Sequence, residues 1–445
     1  MSENKAKLNR TMTPGQMEMI AIGGTIGSGL FMGATSTIKW TGPSVLLAYA
    51  FVGLVLYGVM RALGELIYIS PGTGSFADYG SKYIHPVAGY LTKWSNVFQF
   101  IIVGISDIIA MSQYLNYWWP NLPDWISGLI MIIILTLANL ASAKAYGRLE
   151  FWFAMIKVVT IIAMIILGLL VIVLGLGNNW HPVGISNLWS HGGFFTGGFM
   201  GFMFSLSVIA GSYQGIELLG ITAGEAESPR HAIVKSVKSV IWRILIFYIG
   251  AIFVIVSIYP WNQLKSVGSP FVETFTKVGI TGAAGIINFV VLTAAMSATN
   301  SAIFSTSRSL YSLAQSGNAP KRFGELSAKA VPNHALTFSS LILFITVILN
   351  YIMPAGIFDV IAGISTITFI FTWIIILAAH IKYRQRNPKG VSYFKMPGFP
   401  VTSWLTIIFF LAVLVILLFI DSTRIPLILS VIIFALLAWG YGLKK

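Results

Sequence analysis

The chain has 445 residues, of which 56% are hydrophobic and only 9% are charged, and its formal net charge is +14. Soluble domains carry about 25% charged residues, so this composition excludes a soluble protein and indicates an integral membrane protein. The chain has no cysteine, which excludes disulfides and thiolate metal sites. The polar residues 1–15 lead into an apolar stretch without a small-residue cleavage site, so no removable signal peptide is predicted.

Twelve apolar stretches, most of them about 20 residues long, are predicted to cross the membrane as helices. The predicted spans are 16–38, 44–69, 86–118, 124–143, 150–175, 197–224, 241–259, 281–307, 335–353, 357–380, 401–420 and 425–442. These spans leave no stretch long enough for a separate soluble domain. Because their number is even, both termini are expected on the same side of the membrane.

The positive charges are distributed very unevenly between the two sides. Of the 28 lysine and arginine residues, 21 lie in loops, tails and the adjoining end of a span on one side, four lie in loops on the other side, and three lie deeper within predicted spans. The positive-inside rule therefore predicts that both termini are cytoplasmic. The positive balance is thus a topology signal, together with attraction to anionic lipids of the inner leaflet, and does not indicate nucleic-acid binding.

Predicted spans 1 and 6 contain "GGTIGSG" and "IAGSYQGIELLG", which place glycine and small polar residues at mid-membrane depth, five helices apart. In transporters built from inverted repeats, interrupted helices at matching positions of the two halves indicate the substrate site. Unwound backbone is tolerated at that depth only where it is buried or lines a cavity. The alternative is close helix packing through pairs of small residues, which accounts for Gly197 and Gly201 but not for the mid-depth clusters.

The ends of two interrupted helices offer free N–H groups and free carbonyls, and the helix dipoles reinforce both. A zwitterionic amino acid matches these ends: its carboxylate would bind the backbone amides of residues 27–29, and its ammonium would face carbonyls near Ile22, Ala210 and Tyr213. The glycines are not a nucleotide loop, because the Lys-Ser/Thr pair of a P-loop is missing. The predicted substrate-binding residues are Ile22, Gly23, Thr25, Gly27, Ser28, Gly29, Ala210, Gly211, Tyr213 and Gly215.

Lys157 lies inside predicted span 5. It is the eighth residue of the predicted span, about 12 Å into a membrane core of about 30 Å. An ionisable residue at the bilayer centre costs roughly 2.5–3.5 kcal/mol and is a functional candidate for that reason. A buried lysine can exchange a proton, and its ammonium could also tie span 1 to the bundle as a bound metal cation would. The alternative is a structural lysine bonded to helix carbonyls.

Four further charged residues within predicted spans are candidates. Asp107 has no basic residue three or four positions away, so it could line the cavity, relay a proton or pair with a residue of another span. Glu217 follows the predicted break in span 6, where it could cap the half-helix or handle a proton. Arg61 and Glu65 are four residues apart and are predicted to form an ion pair that could also act as an inner gate.

The sequence lacks the patterns of an enzyme or a metal site. It contains no H-E-x-x-H, no G-x-S-x-G and no paired histidines within a span. His181 and His191 lie in a loop without metal-ligand spacing, so no metal and no cofactor are predicted. A channel would need a continuous file of polar residues, whereas the charges within the spans are isolated.

Several segments resemble the amino acid–polyamine–organocation superfamily of transporters. They are "MIAIGGTIGSGLFMG", "VMRALGEL", "EFWFAMIK", "YQGIELLGITAGEAESPR" and "SATNSAIFSTSRSLYSLAQSGNAPK". More narrowly, they resemble its bacterial amino acid transporter family, whose members import amino acids with protons, and the resemblance runs from about residue 13 to residue 395. The segments around Asp107 and span 8 are most similar to the D-serine/D-alanine/glycine permeases, which carry aspartate at that position where many relatives carry glutamate.

The resemblance implies an all-α fold of the leucine-transporter type with twelve helices in the bacterial cytoplasmic membrane. Helices 1–5 and 6–10 would form two inverted repeats, with helices 1 and 6 broken, and helices 11 and 12 would be peripheral. The corresponding segments are a cytoplasmic tail (1–15), the first repeat (16–175), the second repeat (197–380) and the peripheral helices (401–442).

The resemblance also implies roles for particular residues. The unwound motifs of the family match residues 23–29 and 212–217, and Lys157 matches the lysine that takes the place of a sodium ion in sodium-coupled relatives. The chain departs from the family at Gly211, where relatives usually carry an aromatic residue that closes over the substrate. It also carries Gln214 where the small-substrate subgroup tends to be apolar, so the side-chain pocket is expected to be more open and more polar.

The implied function is a proton-coupled symporter that imports a small neutral amino acid such as D-alanine, D-serine or glycine. Lys157 would change protonation as the bundle rocks, Asp107 and Glu217 are secondary proton carriers, and Tyr213 is a candidate gate. Two alternatives stay open: a symporter for another amino acid (proline, threonine, GABA or an aromatic one) and an amino acid exchanger. The expected partners are the substrate, the proton and membrane lipids, and no oligomeric state is predicted.

Overall fold

The computed structural model describes residues 12–13, 15–16, 19, 28–71, 76–222, 227–264, 271, 274, 281–352, 357–388 and 393–443. The regular secondary structure of these residues is helical throughout, without a β-strand. The helices are α1 (Ser28–Thr41), α2 (Val45–Ile69), α3 (Ala77–Tyr83), α4 (Pro86–Leu115), α5 (Asp124–Ala141), α6 (Ala143–Leu174), α7 (Gly198–Ser212), α8 (Leu218–Thr222), α9 (Pro229–Arg243), α10 (Ala251–Ile258), α11 (Thr281–Gln315), α12 (Asn333–Ile352), α13 (Ile357–Arg386), α14 (Val401–Leu417) and α15 (Asp421–Gly442). A seven-residue π-helix, Ile244–Gly250, joins α9 to α10.

In the part of the chain with described coordinates, eight helical segments are long and apolar enough to cross a membrane, and three shorter apolar helices accompany them. Each predicted span from 44–69 onward falls on a helix or, for 197–224, on two. Large apolar side chains such as Leu54, Val173 and Trp439 are more than half exposed, and an exposed apolar surface of this kind fits contact with lipid.

Two helices begin well before the predicted spans. The span predicted at 150–175 belongs to α6, which already begins at Ala143, where the Ser142 hydroxyl accepts a hydrogen bond from the Ala145 N–H at 3.0 Å. The span predicted at 241–259 continues a helix that begins at Pro229. In both cases the helix extends past the apolar residues into polar ones, because hydropathy detects only the part of a helix that suits lipid.

The long helices α4, α11 and α13 pack together and form the centre of the bundle. Their buried faces carry many polar side chains, among them Gln99, Asn300 and Thr372. Polar groups in a membrane interior need partners within the protein, so this centre is where a polar site can be built.

The glycines Gly197 and Gly201 bring α7 against α1. A Cβ atom at either position would overlap the carbonyl oxygen of Trp40, near the end of α1. The neighbouring backbone is joined as well, because the Ser44 N–H donates to the Phe194 carbonyl at 3.0 Å. Close packing therefore accounts for these two glycines, as the sequence indicates.

Replacing Gly201 with alanine is expected to lower the thermal stability of the purified protein. A Gly-to-Ala change inside a helix normally gains roughly 1 kcal/mol, whereas overpacking costs about 1–3 kcal/mol. The matched control is Gly282→Ala in α11, where a Cβ meets nothing within 4 Å. A melting temperature of Gly201→Ala equal to that of Gly282→Ala would show that the α1–α7 contact does not need the glycine.

Candidate functional site

The sixth predicted span is interrupted at mid-length. Helix α7 ends at Ser212 and α8 begins at Leu218, with residues 213–217 forming turns between them. Gly215 has a φ of +99°, a conformation that side chains other than glycine's adopt only with strain. The predicted break in this span is therefore present, and the local glycine is the reason the chain can turn there.

Glu217 holds the unwound segment in place through hydrogen bonds to its side chain. Its buried carboxylate accepts hydrogen bonds from the Gly215 N–H at 3.2 Å, from the Trp373 indole N–H at 3.1 Å and from the Gln99 amide. Gln99 belongs to α4 and Trp373 to α13, so one carboxylate joins the break to two central helices. A carboxylate accepts hydrogen bonds through both oxygens, and here both are used.

The side chain of Tyr213 packs on the side of the break that faces α2 and the π-helix. Its ring stacks on Tyr248 with centroids 4.2 Å apart, and its hydroxyl donates to the Tyr49 carbonyl at 3.2 Å. The Tyr248 hydroxyl in turn donates to the Ser212 carbonyl at 3.0 Å. Short π-helices are frequent at functional sites, and this one presents Tyr248 to the break.

The opposite side of the break faces α13. A Cβ at Gly211 would lie 3.8 Å from Phe369 and 3.9 Å from the Thr366 hydroxyl. The Ser365 hydroxyl donates to the side-chain carbonyl of Gln214 at 3.3 Å. An aromatic ring therefore does lie next to Gly211, but α13 supplies it. Sequence analysis missed this contribution, and the signal was the "STITF" run of small polar residues before Phe369 within an apolar helix.

Lys157 lies at the centre of a second buried cluster. Its ammonium donates to the Ser297 hydroxyl at 2.9 Å, and that hydroxyl donates to Glu150. The other Glu150 oxygen accepts a hydrogen bond from the side-chain amide of Asn300 at 3.2 Å. The side-chain oxygen of Asn300 in turn accepts one from the side-chain amide of Asn139 at 2.7 Å. All five side chains are buried, so the cluster is closed to solvent and joins α5, α6 and α11.

Asp107 of α4 is a further acidic residue near this cluster. It is buried and interacts electrostatically with Lys157 and with Tyr114. The three roles left open for Asp107, lining the cavity, relaying a proton and pairing with a residue of another span, stay predictions. One ammonium thus faces two carboxylates, those of Glu150 and Asp107.

Sequence analysis did not single out Glu150, because it stood at the edge of the predicted span. Glu150 and Lys157 are seven residues apart on α6. Seven residues are about two helical turns, so both side chains lie on one face of the helix. This spacing was the signal that could have found the pair. Lys157 itself lies near the middle of α6, about 21 Å from the helix start.

The predicted residues of the first span are described only in part. Ile22, Gly23, Thr25 and Gly27 lie outside the described residues. Ser28 and Gly29 are the first described residues of α1. The structure therefore describes the part of the candidate site that the sixth span, α6 and α13 supply.

A third buried cluster lies at the end of α2. Glu65 accepts hydrogen bonds from the Met396 N–H at 2.8 Å and from Arg384 at 3.0 Å, and lies 2.9 Å from the His380 ring nitrogen. The predicted Arg61–Glu65 ion pair is wrong. Residues 393–400 lie against this end of α2, and together with α13 they supply nearer partners for Glu65 than its own helix does.

The described residues contain no group of three or more histidine, cysteine or acidic side chains placed to hold a metal ion. The candidate site is thus made of backbone at a helix break, a buried ammonium with two carboxylates, and hydroxyl and amide side chains. These groups can bind a small polar molecule and hold protons.

Comparison with known proteins places the chain in a family. A family model described as "Amino acid permease" matches residues 16–444. The probable threonine/serine transporter YbxG of Bacillus subtilis is 55% identical, over 98% of this chain and 95% of that protein. The D-serine/D-alanine/glycine transporter of Escherichia coli K12 is 41% identical, over 98% and 93%. The chain therefore belongs to the amino acid permease family, whose members are membrane transporters of the amino acid–polyamine–organocation superfamily and not enzymes.

Proposed function

We propose that this permease is a symporter that imports a small neutral amino acid together with a proton across the cytoplasmic membrane. The observation that carries the proposal is the break at residues 213–217 in the middle of a spanning segment, bracketed by buried polar groups. The proposed architecture has twelve helices with both termini cytoplasmic. Residues 16–175 and 197–380 form inverted repeats, and residues 401–442 form the peripheral helices.

The charged ends of the substrate would bind at the two breaks. Ser28 is the first described residue of α1. We propose that the break of the first span lies just before it, because the first N–H groups of a helix have no partner within the helix and can bind a carboxylate. The substrate ammonium would face carbonyls near Ile22, Ala210 and Tyr213. The remaining glycines of the proposed site, Gly23, Gly27, Gly29, Gly211 and Gly215, keep side chains away from the substrate or allow the backbone to turn. Thr25 belongs to the same proposed site.

The substrate side chain would lie between Gly211, Gln214 and α13. The ring of Phe369 limits this space, which favours a small side chain, and the Gln214–Ser365 pair offers hydrogen-bonding groups to a hydroxyl. Serine is common to the names of the two relatives compared above. We therefore propose serine as a substrate, with alanine, glycine and threonine as candidates of similar size.

The proton would be carried by the Lys157 cluster as a unit. With Lys157 protonated and both carboxylates ionised, the cluster carries one net negative charge in a dry interior. An uncompensated buried charge costs several kcal/mol. The cluster would therefore bind one further proton when it is closed to solvent, and its groups would titrate together. Glu217 already accepts three N–H groups, so we assign it the positioning of the break rather than proton transfer.

Empty proteoliposomes with an acidic exterior are expected to accumulate labelled serine above its equilibrium level. A protonophore should abolish this accumulation, because the proton gradient drives it. Unlabelled glycine, alanine or threonine should compete with the label, whereas phenylalanine should not. Testing D- and L-forms separately gives the enantiomer. Uptake that requires amino acid inside the vesicles would instead identify an exchanger.

Replacing Lys157 with alanine is expected to abolish proton-driven accumulation, and Glu150→Gln to reduce it at least tenfold, because each removes a charge of the proton-holding cluster. Insertion and substrate binding are measured on the same samples. Lys144→Ala, at an exposed position of the same helix, is the control and should transport normally. Normal accumulation by Lys157→Ala would refute the coupling role.

Replacing Ser28 with leucine is expected to raise the Kd for the substrate at least tenfold, about 1.4 kcal/mol, because the side chain would crowd the amides that bind the carboxylate. Ser36→Leu, at an exposed position of the same helix, is the matched control. Equal affinities of the two variants, measured by equilibrium binding of labelled serine, would move the site away from the start of α1.

A further inference from the structure

An open groove lies between α2 and α14, away from the candidate substrate site. Its volume is about 470 Å³. Phe51, Leu54 and Tyr57 line it from α2, and Leu405 and Phe409 line it from α14. Leu54 is 68% exposed and Leu405 is 60% exposed, so the groove opens toward the lipid-facing surface.

The two ends of the groove differ chemically. One end is closed by the rings of Phe51 and Phe409, whose centroids are 5.5 Å apart in an edge-to-face arrangement. At the other end lie Arg61 and Thr402, which bond the carbonyls of Lys395 and Pro397. Between the two ends, α2 and α14 are in close contact. A Cβ at Gly58 would lie 2.8 Å from the Thr406 hydroxyl, so the glycine allows the two helices to approach. The groove is therefore apolar along its length and cationic at one end.

Arg61 has no counter-ion among the residues that the structure describes. Its guanidinium lies 3.7 Å from the centre of the Phe394 ring and donates to the Lys395 carbonyl, and its Nε atom has no hydrogen-bond partner. Glu65, one turn further along α2, is occupied by Arg384 and His380. The positive charge of Arg61 thus has no acidic partner among the described residues, and it lies at the mouth of an apolar groove.

The length of the groove matches one leaflet of a bilayer. Phe51 and Arg61 are ten residues apart on α2, which is about 15 Å along the helix. That length is about half of the roughly 30 Å thickness of the hydrocarbon core. A phospholipid whose acyl chain extends from Arg61 to the Phe51–Phe409 pair would therefore place its phosphate at the arginine. Arginine binds phosphate through several N–H groups and is suited to this contact.

We propose that this groove is a binding site for one anionic phospholipid, with an acyl chain along α2 and α14 and the phosphate on Arg61. In the proposed topology this end of α2 lies on the cytoplasmic side of the membrane. The anionic lipids of the cytoplasmic leaflet are attracted to basic side chains there. A bound lipid would supply the negative charge that the described residues near Arg61 do not.

The test is native mass spectrometry of the delipidated full chain, offered equimolar phosphatidylglycerol and phosphatidylcholine with identical acyl chains. The wild type is expected to retain one phosphatidylglycerol in preference to phosphatidylcholine. Arg61→Gln should lower this retention at least tenfold, while Arg61→Lys should keep part of it. Leu405→Trp, a surface change that fills the groove, should lower retention of both lipids.

The matched control is Arg148→Gln, which removes an exposed arginine of α6 and should change nothing. Equal retention of the two lipids by the wild type would overturn the proposal, as would undiminished phosphatidylglycerol binding by both Arg61→Gln and Leu405→Trp. A dimer that Leu405→Trp dissociates without any loss of lipid would show that a second copy covers the groove instead. The readout is lipid binding, so failure here leaves the transport proposal standing.

Discussion

The candidate site depends on one constraint: backbone that is not helical can lie at membrane depth only if protein groups satisfy it, because lipid offers no hydrogen-bond partner. At the break between α7 and α8, the Glu217 carboxylate meets this need. It bonds the Gly215 N–H and also takes hydrogen bonds from Gln99 and Trp373, so the same group that satisfies the unwound segment holds it against α4 and α13.

The same arrangement recurs at two other buried acids. Glu150 takes hydrogen bonds from Ser297 and Asn300 of α11, and Glu65 takes them from the Met396 N–H and from α13. In each case a carboxylate on one helix accepts hydrogen bonds from donors on other elements, so the acid links neighbouring parts of the bundle. A substitution at any of these acids is thus expected to affect helix packing as well as charge.

Hydropathy was enough to predict the helices after the first span, and the cluster of glycine and polar residues was enough to predict the break in the sixth. Partners between helices could not be predicted this way. Arg61–Glu65 was predicted from spacing along one helix, but Glu65 is bonded to residues more than 300 positions away. The contribution of Phe369 beside Gly211 also depends on how α13 packs, which periodicity within one helix does not encode. Residues 22–27 lie outside the described residues, so the roles expected of them stay predictions.

The contact of Gly197 and Gly201 with the Trp40 carbonyl has a mechanical consequence. α1 runs away from the first predicted break and α7 runs toward the second, so the contact joins the ends of both helices that are distant from the substrate. With no side chain between the two backbones, this junction cannot open without losing its packing. A movement that separates the two predicted breaks and keeps this contact would therefore pivot about it, so that the far ends of α1 and α7 stay together while the ends at the breaks move apart.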